Sequence, residues 1–108
     1  MDLVCHLATI GGKPVLHVHG EIDLATLPSF RDHLTRALGQ TAGHTLAVDL
    51  DGVSALDDTG LGMLLGAAGR ARELGGELVV VCTAERMLQR FELTRFDSAV
   101  TVIPNLHV

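Results

Sequence analysis

The chain has 108 residues, of which 47% are apolar and only 3% aromatic, and a net charge of −5 with its histidines neutral. These values suit one globular domain over residues 1–108 with an aliphatic core. They disfavour nucleic acid and anionic membrane surfaces as partners, and no apolar run approaches the ~18–20 residues of a membrane span.

Leu3 to Ile10 reads as a strand, Gly11–Lys13 as a turn, and Val15 to Gly20 as a second strand, so the chain is expected to open with a hairpin. Leu27, Phe30, Leu34, Ala37 and Leu38 recur at helical spacing. Pro28 fits the first turn of that helix and Gly39 its end. His44 to Leu50 reads as a short buried strand. A second helix is expected from Asp57 or Asp58 to about Leu74, ended by Gly75 and Gly76. Glu77 to Cys82 is a β-branched run, as in a strand covered on both faces. Thr83 is placed to cap a third helix containing Met87, Leu88 and Phe91, and Ala99 to Ile103 reads as a last strand. The order ββαβαβαβ predicts an α/β fold, a mixed sheet of about five strands packed with about three helices.

The N-terminus has no basic start followed by an apolar stretch, so it does not read as a secretory leader. Cys5 and Cys82 are far apart and read as free thiols. Together these features predict a cytoplasmic protein.

The segment Asp49–Gly66, "DLDGVSALDDTGLGMLLG", concentrates the functional signal. On a helical wheel Leu61, Leu64, Ala67, Ala68 and Ala71 form one broad side that must face the sheet. Gly62, Gly66 and Gly69 form a narrow stripe opposite, with Asp58 and Thr59 at its top. Each interior helical glycine costs about 0.8–1 kcal/mol relative to alanine. The stripe is either tolerated drift that eases crowding, or a flat strip where another protein's backbone comes close. Asp57 or Asp58 explains one carboxylate as an N-cap, but not two together with Thr59. A phosphorylated hydroxyl at such a tip would add about −1.5 to −2 charge and act as a switch.

No Ser-His-Asp or Cys-His set, phosphate loop or dinucleotide fingerprint has recognisable spacing. His17, His19 and Glu21 alternate along a strand and share a face, but nothing nearby completes a metal site; they read as exposed strand residues. Asp49, Asp51, Asp57 and Asp58 read as an acidic rim near the strip rather than a cation site. His6, His33, His44 and His107 are isolated. No cofactor or metal is expected.

The stretch "DLDGVSALDDTGLGMLLGAAGRARELGGELVVV" closely resembles the STAS domain, the fold of bacterial anti-sigma factor antagonists. The family pattern is a buried strand, then Asp-Ser-Ser/Thr-Gly-Leu-Gly opening a helix, then Gly-Gly and a strand. "GEID" (Gly20–Asp23) and "RMLQRFELTRFD" (Arg86–Asp97) extend the resemblance over essentially the whole chain. It implies a binding module rather than an enzyme. In such systems an anti-sigma factor that is itself a serine kinase holds a sigma factor. The unphosphorylated antagonist binds the anti-sigma factor and frees the sigma factor, and phosphorylation of the antagonist's Ser reverses this.

Carried over, Asp57 matches the motif Asp, Gly60, Leu61 and Gly62 match the Gly-Leu-Gly, and Asp23 matches an acidic residue near the partner surface. Partner binding is thereby assigned to Asp23, Asp57, Asp58, Thr59, Gly60, Gly62, Gly66 and Gly69. Asp58 stands where the phosphorylated Ser would be, and a serine kinase cannot modify it. The chain is then permanently "phosphorylated-like", or constitutively competent with an adapted partner, or switched at Thr59. The other reading is a STAS subunit of a membrane-lipid ABC transporter, binding its nucleotide-binding partner with the same surface. STAS proteins often carry a further helix after the last strand, where this chain has only Pro104–Val108. The resemblance therefore implies a bare sheet face, or one covered by a partner or a second copy, and raises homodimer formation.

Overall fold

The computed structural model describes residues 2–106; Met1, His107 and Val108 lie outside the described residues. Strands β1 (Leu3–Ile10) and β2 (Lys13–Ile22) form the expected hairpin. The turn is only Gly11–Gly12, with φ of +59° and +80°. A two-residue turn of type I′ needs both residues in that left-handed region, which glycine enters without a Cβ clash. Lys13 is therefore already strand.

Helix α1 (Leu27–Gln40) follows, with Pro28 in its first turn. It runs through Gly39 and stops at Thr41, whose hydroxyl donates to the Ala37 carbonyl at 2.8 Å. The left-handed residue that turns the chain comes later, at Gly43 (φ +83°).

Strand β3 (Thr45–Leu56) is six residues longer at its end than the expected stop at Leu50. The polar "DGVSA" continues as strand because β2 pairs alongside it as far as Ile22↔Leu56, with irregularities between His17 and His19 and between Gly20 and Glu21. Bulges of this kind let a strand absorb residues of the wrong periodicity. Helix α2 (Asp58–Glu73) and strand β4 (Glu77–Val81) lie where expected.

Helix α3 (Glu85–Leu93) is capped at Ala84 without a side-chain bond, not by Thr83. A four-residue helix α4 (Phe96–Ala99), missed in sequence, precedes β5 (Thr101–Ile103). Arg95 makes the break between α3 and α4 with a left-handed φ of +60°. Among the described residues the helices number four, the three expected and the short α4.

The sheet order is β1-β2-β3-β4-β5, antiparallel at β1–β2 and parallel elsewhere. One face, through Leu16, Val18, Val48, Leu50, Leu78 and Val80, shares a continuous aliphatic core with the buried sides of all four helices. Phe91 packs against Phe96 with tilted rings whose centroids are 4.7 Å apart, tying α3 to α4. The other face carries a small cluster of Val15, Ala47 and Val81, with Val79, Ile103 and Leu106 beside it. β4 is thus covered by helices on one side only, not on both.

Candidate functional site

The parallel pairing Ile22↔Leu56 ends β2 and β3 side by side. The Asp57 N–H donates to the Ile22 carbonyl at 3.1 Å, so the loop that begins at Asp23 and the start of α2 leave the sheet together. Two sequence-distant candidates are therefore neighbours.

The Asp23 carboxylate accepts the backbone N–H groups of Ala25 and Thr26 at 3.0 and 3.1 Å. Thr26 in turn donates its hydroxyl to the Glu21 carbonyl at 2.7 Å. The carboxylate thereby sets the loop's shape, as Asp commonly does in turns, and leaves Leu24 76% exposed at the loop's crest.

Asp57 is the N-cap of α2. Its Oδ1 accepts from the Gly60 N–H at 2.9 Å and from the Thr59 hydroxyl at 2.7 Å. An N-cap of this kind satisfies a donor that the helix cannot. The Gly60 N–H, the Thr59 hydroxyl and the charge of Arg90 hold the Asp57 carboxyl below its ordinary pKa.

Asp58 begins the first turn and points out, 94% exposed. Its Oδ1 accepts from Arg90 Nη2 of α3 at 2.7 Å. One turn earlier on α3, Arg86 donates to the Ser54 carbonyl at 2.8 Å. Neither arginine was singled out in sequence. Their spacing of four residues, which puts both on one helical face, was the available signal.

Gly62, Gly66 and Gly69 lie outside the core, and a Cβ on any of them would meet nothing within 4 Å. The strip is open to solvent along α2, not sealed against the sheet. Gly60 does not belong with it. Gly60 is buried, and a Cβ there would lie 2.5 Å from Ile22 Cγ2 and 2.8 Å from Leu56 Cδ1; it is a packing glycine that lets α2 start close to the sheet. Beside Gly66, a groove of about 570 Å³ runs between α1 and α2, with Leu34, Leu38 and Met63 in its lining and Arg31 and Arg70 among its polar residues.

The acidic rim is not one surface. Asp49 accepts from His17 Nδ1 at 3.0 Å on the sheet face away from the helices. Asp51 accepts the N–H and hydroxyl of Thr83 at 2.7 and 3.1 Å, which is where Thr83 is used instead of as a cap. Eight residue steps of extended chain separate Asp49 from Asp57, roughly 26 Å. His17 and His19 do share a face, but both stack with His6, at 4.9 and 6.3 Å between centroids. Among the described residues no three His, Cys, Asp or Glu side chains converge on a point that would hold a metal ion. Both cysteines are free. Burial pushes the Cys5 thiol up to about 11 and raises Cys82 as well. No helix among the described residues is long and apolar enough to cross a membrane.

The STAS domain family model matches residues 6–108. The chain belongs to the STAS domain family. It is 33% identical over 87 residues to the anti-sigma-B factor antagonist of Listeria monocytogenes, covering 81% of this chain and 75% of that one. It is 30% identical to the anti-sigma-B factor antagonist of Bacillus subtilis, covering 81% and 78%. Among solved structures, an anti-sigma factor antagonist from Mycobacterium paratuberculosis superposes with a TM-score of 0.79 at 25% identity, over 97% of this chain and 88% of that one. A Thermotoga maritima protein described as an anti-sigma factor antagonist superposes with a TM-score of 0.82 at 16% identity, over 94% and 87%. The Listeria and Bacillus relatives are anti-sigma-B factor antagonists, and the superpositions extend over nearly all of this chain's five-stranded mixed sheet and its helices.

Proposed function

We propose that this STAS domain is an anti-sigma factor antagonist that docks an anti-sigma factor of the serine-kinase type and is constitutively competent to bind it. The observation that carries the reading is the continuous outward surface of α2. It starts at the Asp57–Thr59 tip, continues along Gly62, Gly66 and Gly69, and has the Asp23 loop beside it. A side-chain-free helical strip admits close approach of a partner backbone.

Charge bears on the switch. A phosphoserine would bring about −1.5 to −2 to position 58. Asp58 brings one negative charge, and Arg90 stands 2.7 Å from it with one positive charge. The pair is neutral, so the tip resembles an unmodified antagonist in net charge more than a phosphorylated one. The Thr59 hydroxyl is engaged by Asp57, which disfavours moving the switch there. The relatives at 30% identity or more described above are antagonists, which favours this reading over a transporter subunit.

The test is capture from native lysate, identification of the retained anti-sigma factor by mass spectrometry, and calorimetric titration with and without ATP. Affinity is expected to be the same under both conditions, and Asp58→Ser is expected to become ATP-sensitive. Phosphate on Thr59 of the unaltered protein, or ATP-dependent release, overturns constitutive binding.

A further inference from the structure

The two edges of the sheet are treated differently. β5 spans only Thr101–Ile103 and is followed by Pro104, so that edge is short and stopped. β1 is eight residues long, contains no proline and no charged Asp, Glu, Lys or Arg, and has no buried residue. Val4, Leu7 and Ile10 are 57%, 36% and 39% exposed. Soluble proteins normally blunt such an edge with charge, proline, bulges or a covering element, because it is a template for another strand.

The hairpin fixes which backbone groups are free. Ile10 and Lys13 flank the two-residue turn and pair directly, which makes them a mutually hydrogen-bonded pair. The alternation continues through Ala8↔Val15, His6↔His17 and Val4↔His19. The N–H and C=O groups of Leu3, Cys5, Leu7 and Thr9 therefore point away from β2.

We propose that β1 is the homodimerisation edge, pairing antiparallel with β1 of a second copy about a two-fold axis at His6. In that register Cys5 lies opposite Leu7 of the other copy and Leu3 opposite Thr9. These four mutual pairs form roughly eight backbone hydrogen bonds. Charge favours a second copy of this chain on that edge. Asp2 falls opposite the second copy's Ile10, in the same cross-strand row as its Lys13, and all three side chains lie on the face away from the helices. Asp2 and Lys13 form no ion pair within the chain among the described residues. The two-fold brings each Lys13 toward the other copy's Asp2, twice. No like charges meet along the strand, although the copies are each net −5. The dimer joins two five-stranded sheets into one, and leaves the outward strip of α2 free.

The junction uses far fewer than the ~20–30 residues a side of a standard stable interface, so association is expected at about 10–500 µM. Sedimentation velocity over that range is expected to show a reversible monomer–dimer equilibrium. His6→Lys, which sets two ammonium groups against each other at the axis, is expected to stay monomeric with an unchanged melting temperature. A second readout fixes the register. His6→Cys in a Cys5→Ser background places two thiols directly across the axis, within about 4.5 Å between Cα atoms, in disulfide range. Oxidation is expected to link it. Ala8→Cys in the same background faces Val4 of the other copy and is expected not to link. A protein monomeric at 500 µM, a His6→Lys variant that still dimerises, or linkage at position 8 as fast as at position 6 overturns the proposal.

Discussion

Replacing Gly62, Gly66 and Gly69 together by alanine separates what the strip does for the fold from what it does for a partner. All three positions are helical, and an added Cβ meets nothing within 4 Å. No packing cost therefore opposes the gain in helix propensity, about 0.8–1 kcal/mol at each site. Helix propensity acts residue by residue and none of the added methyl groups meets another side chain, so the gains should sum to about 2.4–3 kcal/mol. At about 4–5 °C per kcal/mol for a domain of this size, the melting temperature should rise by about 10–15 °C. Thermal and urea unfolding give the first number. Titration with the captured anti-sigma factor gives the second, and there the same methyl groups should stand where the partner backbone approaches and weaken binding at least tenfold. The combination of higher stability and lost affinity is the signature of a surface kept glycine-rich for docking. A triple variant no more stable than the parent would refute the claim that the strip is free of internal contacts. A stabilised variant that binds with undiminished affinity would refute the docking role.

Gly60→Ala should behave in the opposite way. Its Cβ would press on Ile22 and Leu56, and overpacking of about 1–3 kcal/mol exceeds or cancels the propensity gain of about 1 kcal/mol, so urea unfolding should show a protein no more stable than the parent and up to about 2 kcal/mol weaker. Arg90→Ala leaves Asp58 unpaired at the tip; because the pair is exposed, stability should change by less than about 1 kcal/mol, while partner affinity, read by calorimetry, should fall toward that of a negatively charged tip. For Asp57 the sign follows from its depressed pKa. Its stabilising contribution is complete above the ordinary carboxylate value of 3.8 and is lost as pH falls below that through the lower folded-state value. The stability difference between the parent and Asp57→Asn should therefore hold steady from pH 7 to about pH 4.5 and close as the pH drops toward 2; a difference constant over the whole range would show that the charge of the cap is irrelevant.

Much of the site was legible because it is local. The N-cap, the first-turn carboxylate and the glycine stripe all lie within Asp57–Gly69, and helical periodicity alone assigns their faces. Asp57 caps through its own neighbours Thr59 and Gly60, so no distant contact was needed to place it. Gly60 enters the partner-binding set through the family's Gly-Leu-Gly pattern, and no local spacing shows how closely the first turn approaches Ile22 and Leu56. The Arg90–Asp58 pair spans 32 positions, and only the packing of α3 beside α2 brings it into being.

By itself the sequence determined the alternation of strands and helices, the family, and which residues crown and line the outer side of α2, since periodicity and capping act over a few residues. Tertiary structure alone decided the length of β3, the short α4, the division of the acidic residues between two surfaces and the neutralisation of Asp58. Each of those depends on pairing or packing between segments far apart in the chain, where the energy of the contact outweighs local preference and leaves no local mark.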